Sequence, residues 1–226
     1  MPSGDCENLV DGFLMQQANA VSSLAFVVVG IWVVAATRAR STELRLLTSV
    51  LGLALVLVGL GSFAFHGPGG PVAGWAHDVA ISSLLLLILA GELGHRFEWN
   101  ARQIVVGWAG ATLGFAVIGA AWPRTIDPLN APLALLAVIS VIGPRLAARR
   151  PREGRPANRR SREPAGLMVL TLGAVVMLLS RTGGPLCAPD AVVQGHAVWH
   201  VLAAIGVGIY APTFSSRIHR PVRAPL

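Results

Sequence analysis

The chain has 226 residues, of which 54% are hydrophobic and 13% charged, where an ordinary soluble domain carries roughly 25% charged residues. This many apolar runs exceed what one globular core of this size can bury, so the composition excludes an ordinary soluble domain and points to a polytopic membrane protein folded as one unit. The net charge of +7 arises from 18 basic residues, all arginine. Close to half of them fall in one stretch between apolar segments, which reads as an orientation signal and not as a nucleic-acid surface.

Residues 1–17 contain Asp5, Glu7 and Asp11 and no basic residue, so they lack the basic region of a cleavable signal peptide and the first apolar segment is expected to be retained. A helix needs about 20 apolar residues to cross a bilayer, and seven segments are candidates. The first covers 18–37. The second, 46–66, contains Gly52 and Gly59 and ends on Ser62-Phe63-Ala64-Phe65-His66. The third, 73–93, opens with His77 and Asp78 and carries Ser82 and Ser83, which read as packing residues. Gly107, Gly110 and Gly114 in the fourth, 103–122, are expected to let a neighbouring helix approach closely, as are Gly52 and Gly59. Pro144 and Arg145 interrupt the fifth, 131–148, and a basic loop, 149–163, follows. Pro164, suited to a first helical turn, opens the sixth, 164–182; the seventh, 195–214, begins with His196-Ala197-Val198-Trp199-His200. The fold expected is an all-α bundle of seven transmembrane helices forming a single domain over 1–226.

Orientation follows from the arginines. Alternate loops collect Arg38, Arg40 and Arg45, then Arg96 and Arg102, then eight from Arg145 to Arg162, then Arg217, Arg220 and Arg223. Only Arg124 and Arg181 remain for the opposite side, which places the N-terminus outside and the C-terminus in the cytoplasm. His95, His219, Glu92 and Glu98 then belong to the cytoplasmic side, where solvent, helix ends and headgroups accommodate them. His66, Asp78, His196 and His200 come from three spans, yet all fall at one depth on the outer side. Cys6 and Cys187 lie outside as well, where an oxidising compartment permits a bridge between them; two unpaired thiols are the alternative.

Residues four apart lie one turn apart on one helical face, so His196 and His200 are able to grip one ion, with His66 arriving from another helix. Three imidazoles suit a catalytic zinc, whose fourth position is kept for water of pKa about 7. Asp78 is a candidate general base for that water, or a carboxylate that orients a histidine. Ser62, one turn before His66, is a candidate to touch the metal water or a developing oxyanion; helix packing is the alternative. His77 points about 100 degrees away from Asp78 and reads as interfacial.

Taken in order, Asp5-Cys6-Glu7-Asn8, Gln16-Gln17-Ala18-Asn19-Ala20-Val21-Ser22-Ser23, Gly59-Leu60-Gly61-Ser62-Phe63-Ala64-Phe65-His66, Asp78 and His196-Ala197-Val198-Trp199-His200 resemble the alkaline ceramidases. These belong to the wider superfamily of seven-span hydrolases that includes adiponectin-type receptors and Per1-like proteins. The resemblance spans almost the whole chain. It implies a zinc held by His66, His196 and His200, with Ser62 and Asp78 assisting an amide hydrolysis that releases a fatty acid and a sphingoid base, and a disulfide between Cys6 and Cys187. That family also binds calcium near its N-terminus. Here Glu7 matches, but Gln16 replaces a carboxylate and Asp5 and Asn8 do not align cleanly, which leaves a Ca2+ set of Asp5, Glu7, Asn8 and Gln16 short of hard oxygen donors.

The expected function is therefore that of a zinc-dependent membrane amidase acting on ceramide or a related N-acyl lipid, with the bilayer and its lipids as partners. Two further readings stay open: an adiponectin-receptor-like receptor or sensor with a mainly structural zinc, and an ester or phospholipid hydrolase using the same metal water. The absence of lysine alongside abundant Ala, Gly, Pro and Arg is associated with GC-rich bacterial genomes, so the expected location is a bacterial inner membrane with the site facing outward.

Overall fold

A computed structural model of the protein describes residues 4–37, 41–123, 125–147 and 157–218. Arg38, Arg40, Arg124, Arg149 to Arg155, His219, Arg220 and Arg223 lie outside the described residues. Within them the chain is all-helical, with α1 Gln17–Ala36, α2 Thr42–His66, α3 Pro71–Phe97, α4 Ala101–Ala121, α5 Ile126–Ala147, α6 Ala157–Leu179 and α7 Gly195–Ile218. Six are long and apolar enough to cross a membrane: α1 to α4 over their full lengths, α5 over Ile126–Gly143 and α7 over Gly195–Phe214.

The sixth helix departs from expectation. Its apolar part is the shorter stretch Pro164–Leu179, and the helix begins at Ala157, so Pro164 sits inside it and not in its first turn. The part of the expected basic loop from residue 157 onward is therefore helical. Ala, Arg and Glu in Ala157–Glu163 are good helix formers, and helical propensity is independent of the apolarity that marks a span. Elsewhere the ends follow local chemistry. Ser41 caps α2 by accepting from the Leu44 amide, Pro71 occupies the first turn of α3, and Asn100 with Gln103 forms a capping box at α4.

Alternation along the chain brings seven ends together at what we call the histidine end: the starts of α1, α3, α5 and α7 and the ends of α2, α4 and α6. The bundle is centred on α2, with Leu47, Leu51, Ala54 and Leu55 fully buried against Phe26 of α1, Leu87 of α3 and Ala203, Ala204 and Phe214 of α7. Glycine makes this closeness possible. A Cβ on Gly52 would stand 2.8 Å from the Gly30 carbonyl oxygen and one on Gly30 would stand 2.6 Å from that of Gly52, so α1 and α2 meet backbone to backbone as expected of Gly52; Gly59 abuts the Ser23 carbonyl in the same way. Gly166 and Gly206 repeat the device between α6 and α7.

Gly107, Gly110 and Gly114 do not. Nothing lies within 4 Å of a Cβ at any of them, which corrects the expectation that they admit a neighbour. The face they share points away from α3 and carries the exposed Val106, Leu113 and Val117. Apolar side chains also cover the outside of the other helices, among them Val28, Ile31, Leu135, Ile139 and Leu172. That inverts the polarity of a soluble protein and fits a lipid surround.

Two further expectations change. Glu92 is not solvated but packed inside the bundle, 8% exposed, where its Oε1 accepts from the Tyr210 hydroxyl of α7 at 2.6 Å; a buried carboxyl needs such a partner. Glu98 is exposed and ends α3 in a left-handed conformation, φ 57°. Ser82 and Ser83 do more than pack: Ser82 donates to Asn130 of α5 at 2.7 Å, and Ser83 receives the Trp108 indole N–H of α4.

Candidate metal centre

His66 ends α2, and His196 and His200 occupy the first two turns of α7. Their ligand nitrogens all lie within 4.8 Å of one another, and the ring centroids are 5.0 Å apart for His66 and His196, 5.3 Å for His66 and His200, and 4.5 Å for His196 and His200. His66 and His200 are buried and His196 is half-buried. Among the described residues this is the group of histidine, cysteine and carboxylate side chains able to hold a metal ion.

The hydrogen bonds decide which nitrogen each ring offers. His66 Nδ1 lies 2.7 Å from Gln16 Oε1, a pure acceptor, so Nδ1 carries the proton. His200 Nδ1 lies 3.1 Å from the Asn19 carbonyl oxygen and 2.9 Å from Ser22 Oγ, and the carbonyl again requires the proton on Nδ1. His196 Nδ1 lies 3.0 Å from Asp5 Oδ1. Each ring is thus anchored through Nδ1–H to an oxygen, the arrangement that fixes tautomer and orientation around a metal, and each presents an Nε2 lone pair. His66 Nε2 is buried with no hydrogen-bond partner. Such a lone pair costs about 1–3 kcal/mol, and a bound cation would satisfy it. Three neutral imidazole donors fit zinc and its borderline neighbours.

Ser62, one turn before His66 and 1% exposed, places its Oγ 3.3 Å from His200 Nε2, at the edge of the space the three lone pairs enclose. Asp78 is not one of the group. Its Oδ1 accepts from His77 Nδ1 at 2.9 Å, and His77 stacks on Phe65 at 4.7 Å with its centroid 6.0 Å from that of His66. His77 therefore flanks His66, nearer the site than its interfacial reading implied. The Asp78 carbonyl is held by Ser82 and Asn130.

The residues of the expected calcium set each have partners within the chain. Glu7 caps α1, its two oxygens accepting from the Ala18 and Asn19 amides at 2.7 and 2.9 Å, as a carboxylate at a helix start does. Asn8 donates to Asp190 at 2.7 Å, Gln16 serves His66, and Asp5 serves His196. Burial acts to raise the Asp5 carboxyl, but the hydrogen bond from His196 and the electrostatic influence of the neighbouring His196, His66 and His77 prevail and hold it below its ordinary range. Cys6 and Cys187 form a disulfide, which resolves the choice between a bridge and free thiols.

Sequence reasoning assigned no role to Asn19, Ser22 and Ser23, which surround His200 Nδ1. Their signal was present: three polar residues at positions i, i+3 and i+4 of an otherwise apolar helix lie on one face. Compared with known proteins, the chain matches no family model and no curated protein.

Proposed function

We propose that the protein is a zinc-dependent membrane amidase of the alkaline ceramidase kind, cleaving ceramide or a related N-acyl lipid to a fatty acid and a sphingoid base. The observation that carries this reading is the buried, unpartnered His66 Nε2 facing two further imidazoles, with a buried serine hydroxyl 3.3 Å from His200 Nε2. A zinc ion bound by the three Nε2 atoms would supply a Lewis acid that acidifies water and polarises a carbonyl.

The remaining chemistry falls to the chain. Ser62 Oγ–H donates to the amide oxygen as negative charge develops on it. Asp78 takes the proton of the attacking water and returns it to the departing amine nitrogen, with His77 holding its carboxylate in place through the 2.9 Å bond. The acyl chain lies among the spans, where apolar walls exclude water. Arginine distribution supports an outward-facing site and α6 as a seventh span, and the lysine-free composition supports a bacterial inner membrane.

The test is direct. Purified protein should carry about one zinc per chain, as a three-ligand site predicts, and release fatty acid and a long-chain amine from N-acyl lipids, read by mass spectrometry. His196→Ala and His200→Ala should abolish both. Full hydrolysis by either variant would sink the mechanism. Release of a fatty acid from esters but not from amides would move the substrate class, and zinc held with no lipid cleaved would favour a sensor.

A further inference from the structure

Residues 4–16 contain no helix, yet they cross the histidine end and reach the centre twice, through Asp5 on His196 and Gln16 on His66. Both contacts fall on Nδ1, behind the rings as seen from the lone pairs. The segment is tied down at points that do not involve the imidazole rings. Asp5 pairs antiparallel with Arg181, and the Thr182 amide and hydroxyl donate to the Gly4 and Asp5 carbonyls. Asn8 bonds the Pro189 carbonyl and Asp190, and Cys6 is joined to Cys187 across 181 residues. At its far end Glu7 grips the first turn of α1, while the Met15 and Gln16 amides donate to the Gly67 and His66 carbonyls.

We infer that this segment is a metal-retaining clamp: Asp5 and Gln16 are positioning residues that set how tightly the centre holds its ion, and the Cys6–Cys187 bond keeps Asp5 within reach of His196. An acceptor on Nδ1–H stops the ring from turning and makes Nε2 a better donor, and loss of such a partner typically weakens metal binding 10–100-fold. Asp5 does more than Gln16, because its carboxylate adds a negative charge behind the His196 ring, whereas Gln16 is neutral. His200 takes its anchor from α1 itself, through the Asn19 carbonyl, so the segment supports it only indirectly, through Glu7 at the first turn of that helix. The inference rests on the metal reading above but not on the lipid amide as substrate.

The experiment uses the full chain in detergent with zinc alone, measuring zinc per chain at fixed free zinc and the rate of its transfer to a chromogenic chelator. Asp5→Ala and Gln16→Ala should each weaken retention about 10–100-fold, Asp5→Ala more, and Asp5→Asn, which keeps an acceptor oxygen, should recover part of the loss. Cys6→Ser/Cys187→Ser should lose as much as Asp5→Ala, and adding Asp5→Ala to it should cost nothing further, the non-additivity of groups acting as one unit. Melting of the metal-free variants separates this from loss of fold. Should the cysteine variant not fold, Asp5→Asn and Gln16→Ala still decide. Wild-type zinc release in the Asp5 and Gln16 variants, or additive losses, overturns the clamp alone; a wild-type chain that binds no zinc overturns the metal reading with it.

Discussion

α1 and α4 are helices of nearly equal length and similar hydropathy, each containing glycine, but they are used differently. In α1, Gly30 meets Gly52 of α2 backbone to backbone, and the same helix delivers Asn19, Ser22 and Ser23 to His200. In α4 only Ala101, Ile104 and Gly119 are buried, and three glycines face open space. The packed side, α1 with α2 and α7, holds the site; α4 shields α3 from its surroundings. A site whose rings must be held to within tenths of an ångström needs supports with no slack, and close helix contact provides them.

This contrast can be attacked from its strongest point downward. Ser62→Ala should lower the rate of lipid hydrolysis about 100-fold, the usual effect of removing one donor to a developing oxyanion, while zinc content stays at the wild-type level. A variant as fast as wild type would remove Ser62 from the chemistry. Gly52→Leu should destabilise the fold by about 1–3 kcal/mol or more, since the added side chain drives into the Gly30 backbone; thermal unfolding in detergent reads it. Glu7→Ala should cost about 1 kcal/mol through loss of the α1 cap and, by loosening the first turn, speed metal release. Gly110→Leu should change stability by less than about 0.5 kcal/mol, as at other open positions. Equal melting temperatures for the Gly52 and Gly110 variants would erase the distinction between the two sides.

The helices and the His196–His200 pair were readable in the chain because both rest on short-range pattern. A run of apolar residues must be helical in lipid, and a four-residue spacing puts His196 and His200 on one face whatever surrounds them. What escaped depends on the rotation of a helix about its axis. Gly52 and Gly110 have alike surroundings in sequence, and only the packing of α2 against α1 tells them apart. Asp5 and Gln16 escaped for another reason: they act through a segment without regular structure, whose path is set by partners in the α6–α7 loop. Pro164 misled because the end of an apolar run was taken for the end of a helix.

The Cys6–Cys187 bond also orders events in time. A chain is made from its N-terminus, so Asp5, Gln16 and His66 are laid down early and wait while α3 to α6 follow. His196, His200 and Cys187 arrive among the last. A ribosome halted before Cys187 would leave a lone thiol and one of the three clustered imidazoles, His66. The three imidazoles are therefore complete only once synthesis has passed the first two turns of α7.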